Sequence, residues 1–261
     1  MVPIGLFDTL DACEGPTNKL QLDCRWADPS AGDSLGLLPP ADENLALRAV
    51  RMLRDQAGVD AGISMTLIKR IPSAAGLGGG SSNAAAALLA ANEIWDLGLS
   101  RSELAKLGAQ LGSDVPFFFG NNAAVCRGRG ERIEPQAGLS PLHFVVVRPP
   151  AGLSTADVYR NCEVPAKPRS GTELLAALRA GDMRQLPNQI FNRLQAAAKT
   201  LSPWVDRLRT EMAGQDCLAD QLSGSGTSYF GICRHARHAR RVARRLQSRG
   251  VGRVYAASTC N

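Results

Sequence analysis

The sequence predicts an α/β protein of two domains, and three observations carry that prediction. An alternating apolar segment from Ile63 to Ile71 runs into a glycine-rich turn and then an alanine-rich segment, the order strand, turn, helix. The chain has 261 residues, the size at which single cores begin to divide. An unbroken apolar run, Leu142 to Val147, is followed by Pro149-Pro150-Ala151-Gly152, which breaks the pattern and marks a soft boundary. The expected domains are residues 1–140 and 141–261.

Taken in order, Met1 to Leu10 has the apolar content of a strand already under way, and Lys19 to Cys24 alternates like a second. Residues 28 to 43, rich in Asp, Pro, Gly and Ser, form a loop. From Asn44 to Gln56, the residues Leu45, Ala49, Met52 and Leu53 share one face of a helix that stops at Gly58. The Ile63–Ile71 strand follows, then the turn, then the alanine helix, for which Ser81 and Ser82 are good caps. Ser100-Arg101-Ser102-Glu103 is a capping-box start for a helix with Leu104, Leu107 and Leu111 inward, ending at Gly112.

Beyond it, Ala123 to Cys126 and Leu142 to Val147 read as strands, with a hairpin turn at Gly128-Arg129-Gly130-Glu131 between them. Helices are expected over 154–160, 170–180 and 204–213, with a loop at 161–169 that holds two prolines. Leu218 to Ile232 is a small-residue loop between two strand-like runs. From Arg234 to Gly250 seven arginines stand without an acid, and Val242 and Leu246 mark the buried side.

Composition narrows the function. No apolar stretch approaches membrane-spanning length and no basic segment leads into an apolar core at the start, so a cytoplasmic protein is expected. Seven scattered cysteines, an odd number without CxxC spacing, argue against both a disulfide framework and a structural zinc site. A net charge of +6 suits nucleic acid or a small polyanionic substrate. The arginine-rich stretch has no interleaved aromatics and no helix-turn-helix or RNA-binding signature, so it reads as a solvated helix face and no nucleic-acid partner is expected.

Three stretches carry chemistry. The first is Pro72-Ser73-Ala74-Ala75-Gly76-Leu77-Gly78-Gly79-Gly80-Ser81-Ser82-Asn83. At a helix start the leading N–H groups lack partners and the macrodipole adds positive charge, while the missing Cβ atoms let backbone approach a ligand closely. Such a loop holds phosphate, although it lacks the Gly-Lys-Ser/Thr ending of a Walker loop and the acid of a dinucleotide fingerprint. The same glycines also suit a flexible turn before a helix. The second stretch, Leu111-Gly112-Ser113-Asp114-Val115-Pro116, sets an acid before the bulky run Phe117–Phe119. Asp114 there is either a functional carboxylate or the cap of a turn before Pro116. The third, Leu222-Ser223-Gly224-Ser225-Gly226-Thr227, is either a second close-approach loop or a plain Gly-Ser hairpin.

Together the three stretches, in this order and spacing, resemble the three signatures of the GHMP small-molecule kinases. The likeness runs from about residue 7 to the C-terminus. The forms PxxxGLGGGSSNAAA and LGSDVP are most similar to the branch that acts on a cytidine diphosphate ester. The resemblance implies an N-terminal domain of ribosomal-protein-S5-like type and a ferredoxin-like C-terminal domain. It implies that Pro72, Ala74, Gly76, Leu77, Gly78, Gly79, Gly80, Ser81 and Ser82 bind ATP, accompanied by Mg²⁺, and that Asp114 takes the proton from the acceptor hydroxyl. It further implies that Ser223, Gly224, Ser225 and Gly226 close over the substrate, and that Thr155 and Tyr159 meet the cytidine, where base stacking is worth about 1–3 kcal/mol. No metal ligand is assigned.

In the family, a Pro-Ala-Lys-x-Asn-Leu strand with an active-site lysine and a Gly-Tyr-His turn holding the cytosine come before the point where the likeness begins. The expectation is that Met1 is an internal methionine of a longer natural chain. The alternatives are another GHMP kinase or a catalytically impaired nucleotide-binding homologue.

Overall fold

The computed structural model of the chain describes residues 1–120, 122–164, 166–167 and 169–260. Its first part is a three-stranded sheet covered by helices. Strands β1 (Thr9–Gly15) and β2 (Leu20–Trp26) flank β3 (Gly62–Lys69), β1 antiparallel to it and β2 parallel. After the short α1 (Gly32–Leu35), α2 (Leu45–Ala57) makes the crossover that a parallel pair needs. Its start is capped by the Asn44 side chain, which accepts from the Ala46 amide at 3.0 Å, and its end is Gly58 with φ +64°.

Helix α3 (Gly79–Ile94) buries Ala84, Ala85, Ala87, Leu88 and Ala91. Alanines let it lie close to α2, to α4 (Arg101–Leu111) and to the 3₁₀ segment Val115–Phe119. The capping box of Ser100 and Glu103 is formed as the sequence indicates. These elements share a core that runs from Ala46 to Phe119.

Strands β4 (Ala124–Arg127) and β5 (Arg132–Pro135) make a two-stranded hairpin. The second sheet is antiparallel with order β7-β8-β6-β9, built from β6 (His143–Arg148), β7 (Ala219–Leu222), β8 (Tyr229–Cys233) and β9 (Arg253–Ser258). Between β6 and β7 come α5 (Thr155–Arg160), α6 (Thr172–Ala180), α7 (Leu186–Gln189), α8 (Leu194–Leu201) and α9 (Pro203–Ala213), and α10 (Ala236–Ser248) joins β8 to β9. That strand order is the ferredoxin-like arrangement. Strand β6 is apolar from Phe144 to Val147 because both its faces are covered there: Val145 and Val147 point into a core with α9 and α10, Phe144 and Val146 into one with Leu178 and Leu186.

Several expectations changed. Residues 1–8 make no strand, only a single bridge from Ile4 to Thr259, since the pairing with β3 begins at Thr9. The turn at 128–131 joins β4 to β5 rather than to the Leu142–Val147 run. Ser81 and Ser82 do not cap α3: Gly78 holds the cap position with φ +70°, and Ser82 Oγ bonds back to the Gly79 carbonyl. Helix α8 and strand β9 carry weaker periodicity and were not anticipated. The prolines of the 161–169 loop, Pro165 and Pro168, lie outside the described residues.

Helix α10 is basic on its solvent side as read, and a surface hollow of about 400 Å³ lies among Arg237, Arg240, Arg241, Arg244 and Arg245. His238 on that helix is buried. No described helix is long and apolar enough to cross a membrane.

Candidate active site

The glycine loop leaves β3 and enters α3, so the fold places it at a helix N-terminus. The amides of Gly79, Gly80 and Ser81 bond to no acceptor among the described residues, which is the anion-binding condition. The Ser81 hydroxyl is likewise free there.

The glycines serve packing as much as ligand access. Gly76 (φ +69°) lies against the third loop, and a Cβ on it would stand 2.1 Å from the Ser223 carbonyl. A Cβ on Gly78 would stand 2.8 Å from Phe118 Cζ, so the loop also touches the segment that follows Asp114. Among the other residues, Pro72 is buried and shapes the turn, Ala74 holds a positive φ of 48°, and Leu77 packs toward the C-terminal sheet.

One feature of the site escaped the sequence reading. Lys69, the last residue of β3, falls in the buried register after Ile63, Met65 and Leu67, and its side chain is only 7% exposed. Its ammonium pairs with Asp8, whose side chain is 3% exposed and whose other oxygen accepts from the Arg70 and Ile71 amides at 2.6 and 2.9 Å. Lys69 Nζ lies 3.3 Å from where a Gly79 Cβ would be, beneath the start of α3. The available signal was a lysine at a position where alternation calls for an apolar residue.

Asp114 precedes the 3₁₀ segment Val115–Phe119 as its cap residue, but its side chain makes no capping bond. Its carboxylate is surface-accessible and makes no hydrogen bond or ion pair among the described residues. Protein crowds it nonetheless: a Cβ on Gly130, in the β4–β5 turn, would stand 3.6 Å from Asp114 Oδ1. Partial burial raises its pKa above the ordinary carboxylate value, and the Met1 ammonium, which donates to the Ala124 carbonyl, pulls the other way. Burial also raises the Tyr159 phenol, and the charge of Asp114 adds to that in the same direction.

The third loop crosses from β7 to β8. Ser223 Oγ donates to the Gly76 carbonyl at 2.8 Å, and the Ser228 amide donates to the Ala75 carbonyl at 3.2 Å. Ser225, nearly buried, shares a 2.9 Å hydroxyl contact with Thr155 at the first turn of α5. Tyr159, one turn later, is 61% exposed and is therefore no core tyrosine. The loops thus meet: the first packs on Phe118, just past the second motif, and on the third through Gly76, while Thr155 bonds to Ser225.

Comparison with known proteins agrees with this geometry. The family description "GHMP kinases N terminal domain" matches residues 44–121, and "GHMP kinases C terminal" matches 174–252. A 4-diphosphocytidyl-2-C-methyl-D-erythritol kinase of Pelotomaculum thermopropionicum is 41% identical over 212 residues, 80% of this chain and 74% of that one. The protein of the same name in Shouchella clausii is 41% identical over 200 residues, covering 76% and 67%. Among solved structures, a 4-(cytidine 5'-diphospho)-2C-methyl-D-erythritol kinase superposes with a TM-score of 0.80 at 33% identity, over 100% of this chain and 88% of that one. A homoserine kinase from Cytophaga hutchinsonii, at 17% identity and a TM-score of 0.76 over 97% and 86%, shares the fold. With this fold, these matched segments and relatives of this identity, the chain belongs to the GHMP kinases, ATP-using enzymes that act on small molecules.

Proposed function

We propose that this chain transfers the γ-phosphoryl group of ATP to the 2-hydroxyl of 4-diphosphocytidyl-2-C-methyl-D-erythritol, a step in the non-mevalonate route to isoprenoid precursors. The observation that carries the reading is that Gly78, at the helix-start anion site, packs against Phe118, four residues past the unpartnered carboxylate of Asp114. Residues 1–140 form the nucleotide domain in this reading and 141–261 the substrate domain. The reaction takes place in the cytoplasm, and neither a membrane nor nucleic acid takes part.

In this mechanism the free amides of Gly79, Gly80 and Ser81 hold ATP phosphate oxygens, and the buried Lys69 adds positive charge beneath them. Asp114 accepts the proton of the acceptor hydroxyl as its oxygen attacks the γ-phosphorus, a positioned base being worth typically about 10²–10⁴-fold. Its raised pKa makes it a better proton acceptor than an ordinary aspartate. Thr155 and Ser225 orient the substrate from one side, and Tyr159 stacks on the cytosine.

Mg²⁺ fits the donors present. A nucleotide-bound Mg²⁺ would need only one or two protein ligands, so it would not call for the cluster of three His, Cys, Asp or Glu that is absent among the described residues. The free Ser81 hydroxyl would be the candidate ligand, and the ion would neutralise phosphate charge.

The test is a coupled assay of ADP release with the cytidine diphosphate ester, mevalonate and homoserine offered in turn. Turnover of the cytidine ester alone is expected. Turnover of mevalonate or homoserine in its place overturns the substrate assignment.

A further inference from the structure

The third loop is fastened from behind by residues to which the reading above gives no role. Asn192, just before α8, donates from Nδ2 to two carbonyls, Leu222 at 2.9 Å and Gly224 at 2.6 Å. Its Oδ1 accepts from the Leu194 amide at 3.0 Å, at the start of α8. One turn on, Gln195 Oε1 accepts from the Leu222 amide at 3.0 Å and from Gln221 Nε2 at 2.8 Å. The front of the loop is held by the bonds from Ser223 and Ser228 to the glycine loop, and its far end by Thr227 Oγ1 on the Ala151 carbonyl at 2.6 Å.

The Gly224 bond has a directional consequence. In a trans peptide unit the C=O and the following N–H point in opposite directions. With the Gly224 carbonyl drawn back onto Asn192, the Ser225 N–H is aimed away from α8. That amide has no acceptor among the described residues, although Ser225 is only 8% exposed. A buried main-chain donor without a partner is a destabilising arrangement unless something in the functional state accepts from it. The Ser225 hydroxyl, on Thr155, lies toward the first turn of α5.

Building on the kinase reading, we infer that Asn192 is a positioning residue for phosphoryl transfer: by holding the Gly224 carbonyl it aims the Ser225 amide at an anionic oxygen, either of the transferring phosphoryl group or of the substrate's diphosphate. Asn192 itself touches neither. Its action is the preorganisation of a donor, which contributes because the donor need not reorient as charge develops.

Asn192→Asp separates this role from simple support. The replacement keeps the oxygen that accepts from the Leu194 amide, but turns the donor facing Leu222 and Gly224 into an acceptor that repels both carbonyls. Gln195→Ala is the control, since it loosens the same strand end without touching Gly224. For Asn192→Asp, kcat for the cytidine ester falls roughly 10–100-fold while KM for ATP changes by less than about threefold, the scale at which orienting partners act. Gln195→Ala keeps kcat within about threefold. Hydrogen exchange over residues 222–228, without substrate, is faster in Asn192→Asp than in the native chain.

An Asn192→Asp protein with native kcat, with native exchange over 222–228, or with a loss of kcat no greater than that of Gln195→Ala overturns the inference. Failure of the substrate reading looks different: the native chain leaves the cytidine ester untouched while the exchange difference persists.

Discussion

Ser223 and Gly76 lock two of the three motif loops together, the serine hydroxyl on the glycine carbonyl at 2.8 Å and the serine carbonyl in the space where a Gly76 side chain would go. The first and third motif loops are therefore fastened to each other, although 147 residues separate the bonded pair in sequence.

Gly76→Ala tests that fastening. The residue has φ +69° and its Cβ would meet backbone at 2.1 Å, so neither rotamer change nor a small shift relieves the contact. The left-handed conformation alone costs about 1–2 kcal/mol for a residue with a side chain, and the clash adds to it. Thermal unfolding should show a loss of about 2 kcal/mol or more, with weaker ATP binding by calorimetry. Gly80→Ala, where the nearest atom is Leu45 Cδ1 at 3.4 Å, should be far milder.

Lys69→Met leaves the Asp8 carboxylate buried without its cation. Breaking a buried pair from one side typically costs about 3–5 kcal/mol, more than removing both partners. Denaturant unfolding of Lys69→Met should show a loss of that order, and the double variant Lys69→Met with Asp8→Leu should recover part of it. ATP affinity stays reduced in both, because the charge beneath the start of α3 is gone in both.

The pH dependence follows from Asp114. In the proposed role Asp114 accepts a proton only when ionised, and burial raises its pKa above the ordinary 3.8. Activity should fall as pH drops through a limb centred above that value, read from kcat/KM against pH. The stability sign is opposite. A carboxyl whose folded pKa is raised favours the folded state when protonated, an advantage present below the unfolded pKa and lost as pH rises through the folded one. Asp114→Asn, neutral throughout, should therefore unfold at a slightly higher temperature at pH 7, by no more than about 2 °C for a carboxylate this accessible to water.

Much of this was legible in the sequence. The glycine turn sits between β3 and α3 because alternation ends and alanines begin at Gly76–Gly80, and Ser100 with Glu103 fixes the start of α4 by a local rule. Lys69 was hidden because its role comes from pairing with Asp8, 61 residues earlier, which no local pattern reports. Asn192 was hidden likewise: as a sequence it is one polar residue in a weakly patterned stretch, and only the folding of β7 beside α8 brings Gly224 to it. The packing of Gly76 against Ser223 was hidden for the same reason, since the atom that needs the space belongs to a distant loop.

The account stands most directly on single-turnover transfer by Asp114→Asn, with ATP binding measured on the same protein. It predicts that ATP still binds with near-native affinity while phosphoryl transfer to the cytidine ester falls by about 10²-fold or more. Transfer at the native rate, with the carboxylate gone, would contradict it.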